Sequence, residues 1–161
     1  MKIVFLISIL SLCCMIFISD FRHRTVNVLL FIFLFFSLSI YSLLLKGDPQ
    51  LILSNAALNL LVLFILISAL AIYLKTFRNI PLKEAIGKGD VAFFICIVSY
   101  FSPTGFLSFL ISSFIFTLVL HLSIVMFPKL NQQNTSIPLA GFQAIWLAVV
   151  LSLSHLSIST I

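Results

Sequence analysis

Six apolar runs, at residues 3–18, 26–45, 51–74, 86–101, 104–127 and 137–158, follow one another with only short polar clusters between them. A helix needs about 20 apolar residues to cross a bilayer core, and soluble domains carry about a quarter of their residues as charges. Here charged residues make up 8% of the chain and hydrophobic ones 62%. The sequence therefore predicts an all-α polytopic membrane protein, a bundle of about six transmembrane helices forming one membrane-embedded domain over residues 1–161. No polar stretch is long enough for a soluble domain, and no repeat or low-complexity linker divides the chain.

The formal charge of +5 argues for a lipid bilayer rather than nucleic acid, because cytoplasmic loops of membrane proteins collect Lys and Arg. Taken by alternate flanks, Arg22, Arg24, Lys75, Arg78, Lys83, Lys88 and Lys129 fall on one side, and only Lys2 and Lys46 on the other. That asymmetry predicts N-out and C-out topology in a prokaryotic cytoplasmic membrane. The first run lacks a small-residue cleavage site, and its stronger basic flank follows it, so it is read as a retained helix. Cys13, Cys14 and Cys96 all lie in apolar runs without metal-ligand spacing and are read as packing residues.

The chain has only four acids: Asp20, Asp48, Glu84 and Asp90. Asp20 closes the first run and Asp90 opens the fourth, so both are expected at one membrane depth on the cytoplasmic side. Two carboxyls brought together beside a low-dielectric region repel one another, leaving one protonated and one ionised near neutral pH. The ionised group can activate water while the other assists a carbonyl. Such a pair titrates jointly, and the roles stay interchangeable. The competing reading is a boundary charge paired with Arg22, Arg24 or Lys88. Against it stands Gly87-Lys88-Gly89-Asp90, where glycines permit unusual backbone angles and close approach of a substrate strand.

Asp20-Phe-Arg-His-Arg-Thr-Val-Asn27 resembles the first motif of the type IV prepilin peptidases, which include archaeal preflagellin peptidases, and Gly87-Lys-Gly-Asp90 resembles their GxGD motif. Ile137-Pro-Leu-Ala-Gly-Phe142 resembles the Pro-containing start of the family's last helix. The resemblance implies an aspartyl endopeptidase that removes a short basic leader from prepilin-like membrane precursors at the cytoplasmic face. It makes Asp20 and Asp90 the catalytic pair, with Gly87, Gly89 and Asn27 as supporting motif residues. Thr25-Val26-Asn27 stands where the family usually has Ile-Pro-Asn, and Ala92 where a Lys often follows the second motif. The Cys-rich insertion of the larger, methylating relatives has no counterpart, so a peptidase without methyltransferase activity is expected. The alternative is a non-enzymatic assembly or transport subunit, or an inactive family member.

Lys83, Glu84 and Lys88 can line a substrate entrance, although a solvated loop explains them equally well. Asn55 and Asn59 share one helix face and suit hydrogen bonding between helices. His121 is read near the middle of the fifth run and His155 near the outer end of the sixth, as packing residues. Asp48 belongs to an outer turn with Pro49. No metal site, cofactor or nucleotide motif is legible, because Gly87-Lys88 lacks the following Ser or Thr of a phosphate loop.

Overall fold

The computed structural model describes residues 2–23, 25–78, 87–126 and 139–159. They form α1 (Lys2–His23), α2 (Val28–Lys46), α3 (Pro49–Tyr73), α4 (Lys88–Ile97), α5 (Pro103–Met126) and α6 (Leu139–Ser159). A π-helical turn, Leu74–Arg78, extends α3. Four of these segments, Lys2–Arg22, Val28–Lys46, Pro49–Arg78 and Pro103–Ser123, are long and apolar enough to cross a membrane, and α6 adds a shorter apolar stretch. The all-helical membrane architecture read from the six runs is the one observed. Val4, Leu53 and Phe64 are among the large side chains that point outward, as a lipid-facing surface requires.

The polar residues between runs act as helix punctuation. Asn27 caps α2 by accepting the Leu29 N–H at 3.0 Å, and Asp48 caps α3 by accepting the Gln50 N–H at 2.9 Å, with Pro49 in the first turn. Gly47, between them, takes a left-handed φ of 70° and donates its N–H to the Leu43 carbonyl at 2.9 Å, the helix-ending geometry that glycine adopts without a Cβ clash. This joint turns the chain sharply from α2 into α3.

Helices α1, α2, α4 and α6 make a closed ring, each packed against the next, with α3 and α5 outside it. Each ring helix buries one stripe at helical spacing: Leu6, Ile9, Cys13 and Ile16 on α1, Phe31, Leu34, Leu38 and Tyr41 on α2, Phe93 and Ile97 on α4, and Ala144, Leu147 and Leu151 on α6. α1 and α6 run antiparallel, since Asp20 meets Gly141 while Cys13 and Cys14 line a groove with Ala148 and Ser152. α2 and α4 run parallel: the Phe31 ring lies beside Gly89 and its carbonyl accepts from Cys96, and further along both segments Ser39 meets Ser99 and Lys46 reaches Tyr100.

The fourth run departs from expectation. Its helix ends at Ile97 and the chain turns through 98–100, where the whole run to 101 reads as one short span. Ten residues of α-helix rise only about 15 Å, and bare carbonyls at membrane depth need partners inside the protein. Four consecutive carbonyls find them. Asn59 Nδ2 donates to Val98 O at 2.8 Å and to Phe101 O at 2.9 Å, Ser42 Oγ donates to Ser99 O at 3.2 Å, and Lys46 Nζ donates to Tyr100 O. Asn59 thus bonds between helices as its sequence position suggested. Replacing it by Leu strips two of those carbonyls and is expected to cost about 2 kcal/mol. Thermal unfolding in detergent micelles should show a midpoint about 5 °C lower; an unchanged midpoint would mean that the turn stands without this side chain.

Candidate active site

Asp20 is the last member of the buried stripe of α1, one turn beyond Ile16, and is 9% exposed. Its Oδ2 accepts the Gly141 N–H at 2.7 Å. A Cβ on Gly141 would lie 3.2 Å from that oxygen and 3.3 Å from Asp20 Cβ, so the absence of a side chain lets the first turn of α6 close on the carboxyl.

Asp90 occupies the same place on α4, one turn before the buried Phe93. The backbone amide of Gly87, the residue that caps α4, favours the charge on the Asp90 carboxyl. An acid at the third helical position lies where the return arm of a capping box would reach the cap amide. The Ala140 amide acts on the carboxyl in the same sense. The two acids, seventy residues apart in the chain, therefore face consecutive amides, Ala140 and Gly141, at the N-terminus of one helix. Unpaired N–H groups and the positive end of the helix dipole favour negative charge there.

Asp90 lies outside the four spanning segments. Burial, and then the Asp20 charge, push its carboxyl up to about 6 from an ordinary 3.8, while the Gly87 and Ala140 amides work in the opposite direction. The folded state consequently holds a proton on Asp90 that the unfolded chain has already released. The stability carried by that proton is complete below about pH 4 and disappears as pH rises through about 6. In protein labelled with 13C at Asp carboxyls, Asp90 should titrate near 6, and Asp20→Asn should lower the midpoint. A midpoint that ignores Asp20→Asn would show that the two groups do not sense each other.

The supporting residues divide. Gly87 has φ −66° and ψ 139°, open to any residue, so the expectation of unusual backbone angles in Gly87-Lys88-Gly89-Asp90 is corrected: among the described residues the left-handed glycine is Gly47. Close approach is what Gly87 supplies, since a Cβ there would sit 2.8 Å from Asp90 Oδ2. Gly89 has room, with Phe31 Cζ at 4.0 Å as the nearest atom to its would-be Cβ. Asn27 serves α2 as a cap, and Lys88 is exposed. Lys83 and Glu84 lie outside the described residues. Sequence reading gave no role to the Ala140 and Gly141 amides; the signal was the Pro-containing start of the last helix at Pro138.

The model of the type IV leader peptidase family matches residues 6–122, a stretch that holds both aspartates and stops short of α6. No curated protein and no solved structure matches the chain. With well over half of its length matched, and with an all-helical bundle to carry it, the chain belongs to the type IV leader peptidase family.

Proposed function

We propose that the protein is an aspartyl endopeptidase that removes the short basic leader from prepilin-like membrane precursors at the cytoplasmic face, with Asp20 and Asp90 as its catalytic pair. The observation that carries this reading is the delivery of two carboxyls, from two helices, to adjacent amides of a third. Family membership adds the peptidase chemistry.

In the proposed reaction the ionised carboxyl takes a proton from water as the water oxygen attacks the scissile carbonyl carbon, and the protonated carboxyl gives its proton to the carbonyl oxygen. Collapse of the tetrahedral intermediate breaks the C–N bond, with a proton passing to the departing nitrogen. One shared proton between Asp20 and Asp90 suits this exchange of roles, and the α6 amides face the pair without supplying a competing charge. The end of the bundle that carries the pair is where the scissile bond of a membrane-anchored precursor would lie, just before its apolar helix.

The test is cleavage of a co-expressed prepilin-like precursor from the same genome, followed as the gain of the shortened product. Failure of the parent chain on several such precursors would overturn the peptidase reading in favour of a membrane scaffold.

A further inference from the structure

Three helices meet at the carboxyl pair, and each carries one polar residue at that end: the buried Asp20 on α1, the partly buried Asp90 on α4 and the buried Gln143 on α6. Asp20 accepts the Gly141 N–H, and the Gly87 and Ala140 amides favour the charge on Asp90. Gln143 is fully buried, at 0% exposure, yet among the described residues neither its Oε1 nor its Nε2 has a partner. An unsatisfied buried polar group costs about 1–3 kcal/mol, and Leu or Met would fill a similar volume without that cost. A carboxamide at this position therefore needs a reason beyond packing.

Its placement supplies one. Gln143 stands three residues after Ala140 on the inward face of α6, so it lies one turn beneath the amide that Asp90 faces. Helical side chains lean toward the N-terminus of their helix, which here is the end carrying the pair. A carboxamide offers both a donor and an acceptor: Nε2 can donate to an ionised carboxyl and Oε1 can accept from a protonated one, whichever of the two acids holds the proton. No apolar residue, and no residue that only donates, can follow that exchange.

We propose that Gln143 is a positioning residue for the Asp20–Asp90 pair, turning its carboxamide toward the two carboxyls and their attacking water so that the shared proton and the water keep one arrangement. This rests on the peptidase reading for its catalytic consequence. The competing role is purely structural, in the packing of α6 against α5, where Ser113 and Thr117 form a buried polar edge.

Among the described residues, the buried or partly buried titratable groups on elements packed against α6 are Asp20 on α1, Asp90 on α4 and His121 on α5, with the thiols Cys13 and Cys96 on α1 and α4, while Lys2, Cys14, Arg22 and Lys88 are exposed. Trp146 Nε1 donates to Ser112 Oγ and stacks on Phe116. With α5 running toward the pair and α6 away from it, that contact sets His121 level with the first turn of α6, nearer the pair than its mid-run sequence reading suggested. A pH profile must therefore be read beside a His121→Gln control.

The experiment uses the full chain in detergent micelles, as parent, Gln143→Leu, Gln143→Met and Gln143→Glu. The proposal expects the Leu and Met variants to unfold at or above the parental temperature, to lose about 10- to 100-fold in kcat with KM within about twofold, and to displace the pH profile. Gln143→Glu should recover activity as pH falls, because a protonated Glu restores the donor and acceptor. A second readout needs no substrate: 13C titration of the Asp carboxyls should move between parent and Gln143→Leu. Parental kcat and pH profile in the Leu and Met variants, with unmoved carboxyl titrations, would overturn the proposal; so would failure of both variants to fold, which would assign Gln143 to packing. If the parent cleaves no precursor, the peptidase reading falls and the carboxyl titration alone decides Gln143.

Discussion

Asp20→Asn and Asp90→Asn should each lower cleavage of a prepilin-like precursor by at least about 10³-fold, a loss at the upper range for removing a general acid or base. Asparagine is the demanding choice because it preserves shape. At position 20 its carbonyl oxygen can still accept the Gly141 N–H that Oδ2 now accepts at 2.7 Å, and at position 90 it still faces the Gly87 and Ala140 amides. What disappears is the ability to take up and return a proton. Because the two acids work as a unit, the double variant should be no slower than either single one. Removing one charge of a repelling pair should leave the thermal midpoint at or above that of the parent, so lost activity cannot be attributed to lost fold. Equal cleavage by parent and either variant, at equal abundance in the membrane, would remove that aspartate from the mechanism.

The second large effect separates two glycines two residues apart. Gly87→Ala should reduce kcat by about 10- to 100-fold, in line with what a displacement of about 1 Å costs a catalytic group. Its new Cβ would stand 2.8 Å from Asp90 Oδ2, and the easiest relief is rotation of the carboxyl away from the Ala140 amide. The backbone angles at position 87 suit alanine, and the stiffer unfolded chain offsets part of the weaker cap, so the stability change should stay within about 1 kcal/mol. Gly89→Ala should keep activity within about twofold, since its Cβ would meet nothing closer than Phe31 Cζ at 4.0 Å. Steady-state cleavage and thermal unfolding of both variants check this together. Equal losses at the two positions would point to a need for backbone freedom across the whole motif rather than for space beside Asp90.

Much of the molecule can be read from residue order because a membrane leaves so few options. The apolar runs announce their helices, and an acid at the inward end of a buried stripe, as at Asp20 after Ile16, is conspicuous where acids are so scarce. Asp48 is legible as a turn residue beside Pro49, whereas Asn27 reads as a supporting motif residue, because the local cap that it makes looks the same in sequence as a site residue.

The features that escaped depend on partners far along the chain. Nothing within 86–101 announces that its helix stops at Ile97; the stop is made possible by Ser42, Lys46 and Asn59, which belong to other helices. Lys46, counted as an outer-flank charge, turns back onto a carbonyl and sits 5.9 Å from the centre of the Tyr100 ring. The amides of Ala140 and Gly141 are backbone groups, present in every residue, and only the fold selects these two. Gln143 escaped for a related reason, since its burial becomes visible only once the inward face of α6 is known.

The interrupted fourth crossing gives α4 the mechanics of a lever. Its far end is pinned by side chains from α2 and α3 at Val98 to Phe101, while its near end carries Asp90 with glycines on both sides of Lys88. Asp90 lies about 12 Å along the axis from Val98, so a tilt of about 5° about the pinned end carries it through roughly 1 Å, enough to open or close contact with a neighbouring carboxyl. A clasp of Ser42, Lys46 and Asn59 at one end of α4 would in this way bear on the separation of two carboxyls at the other.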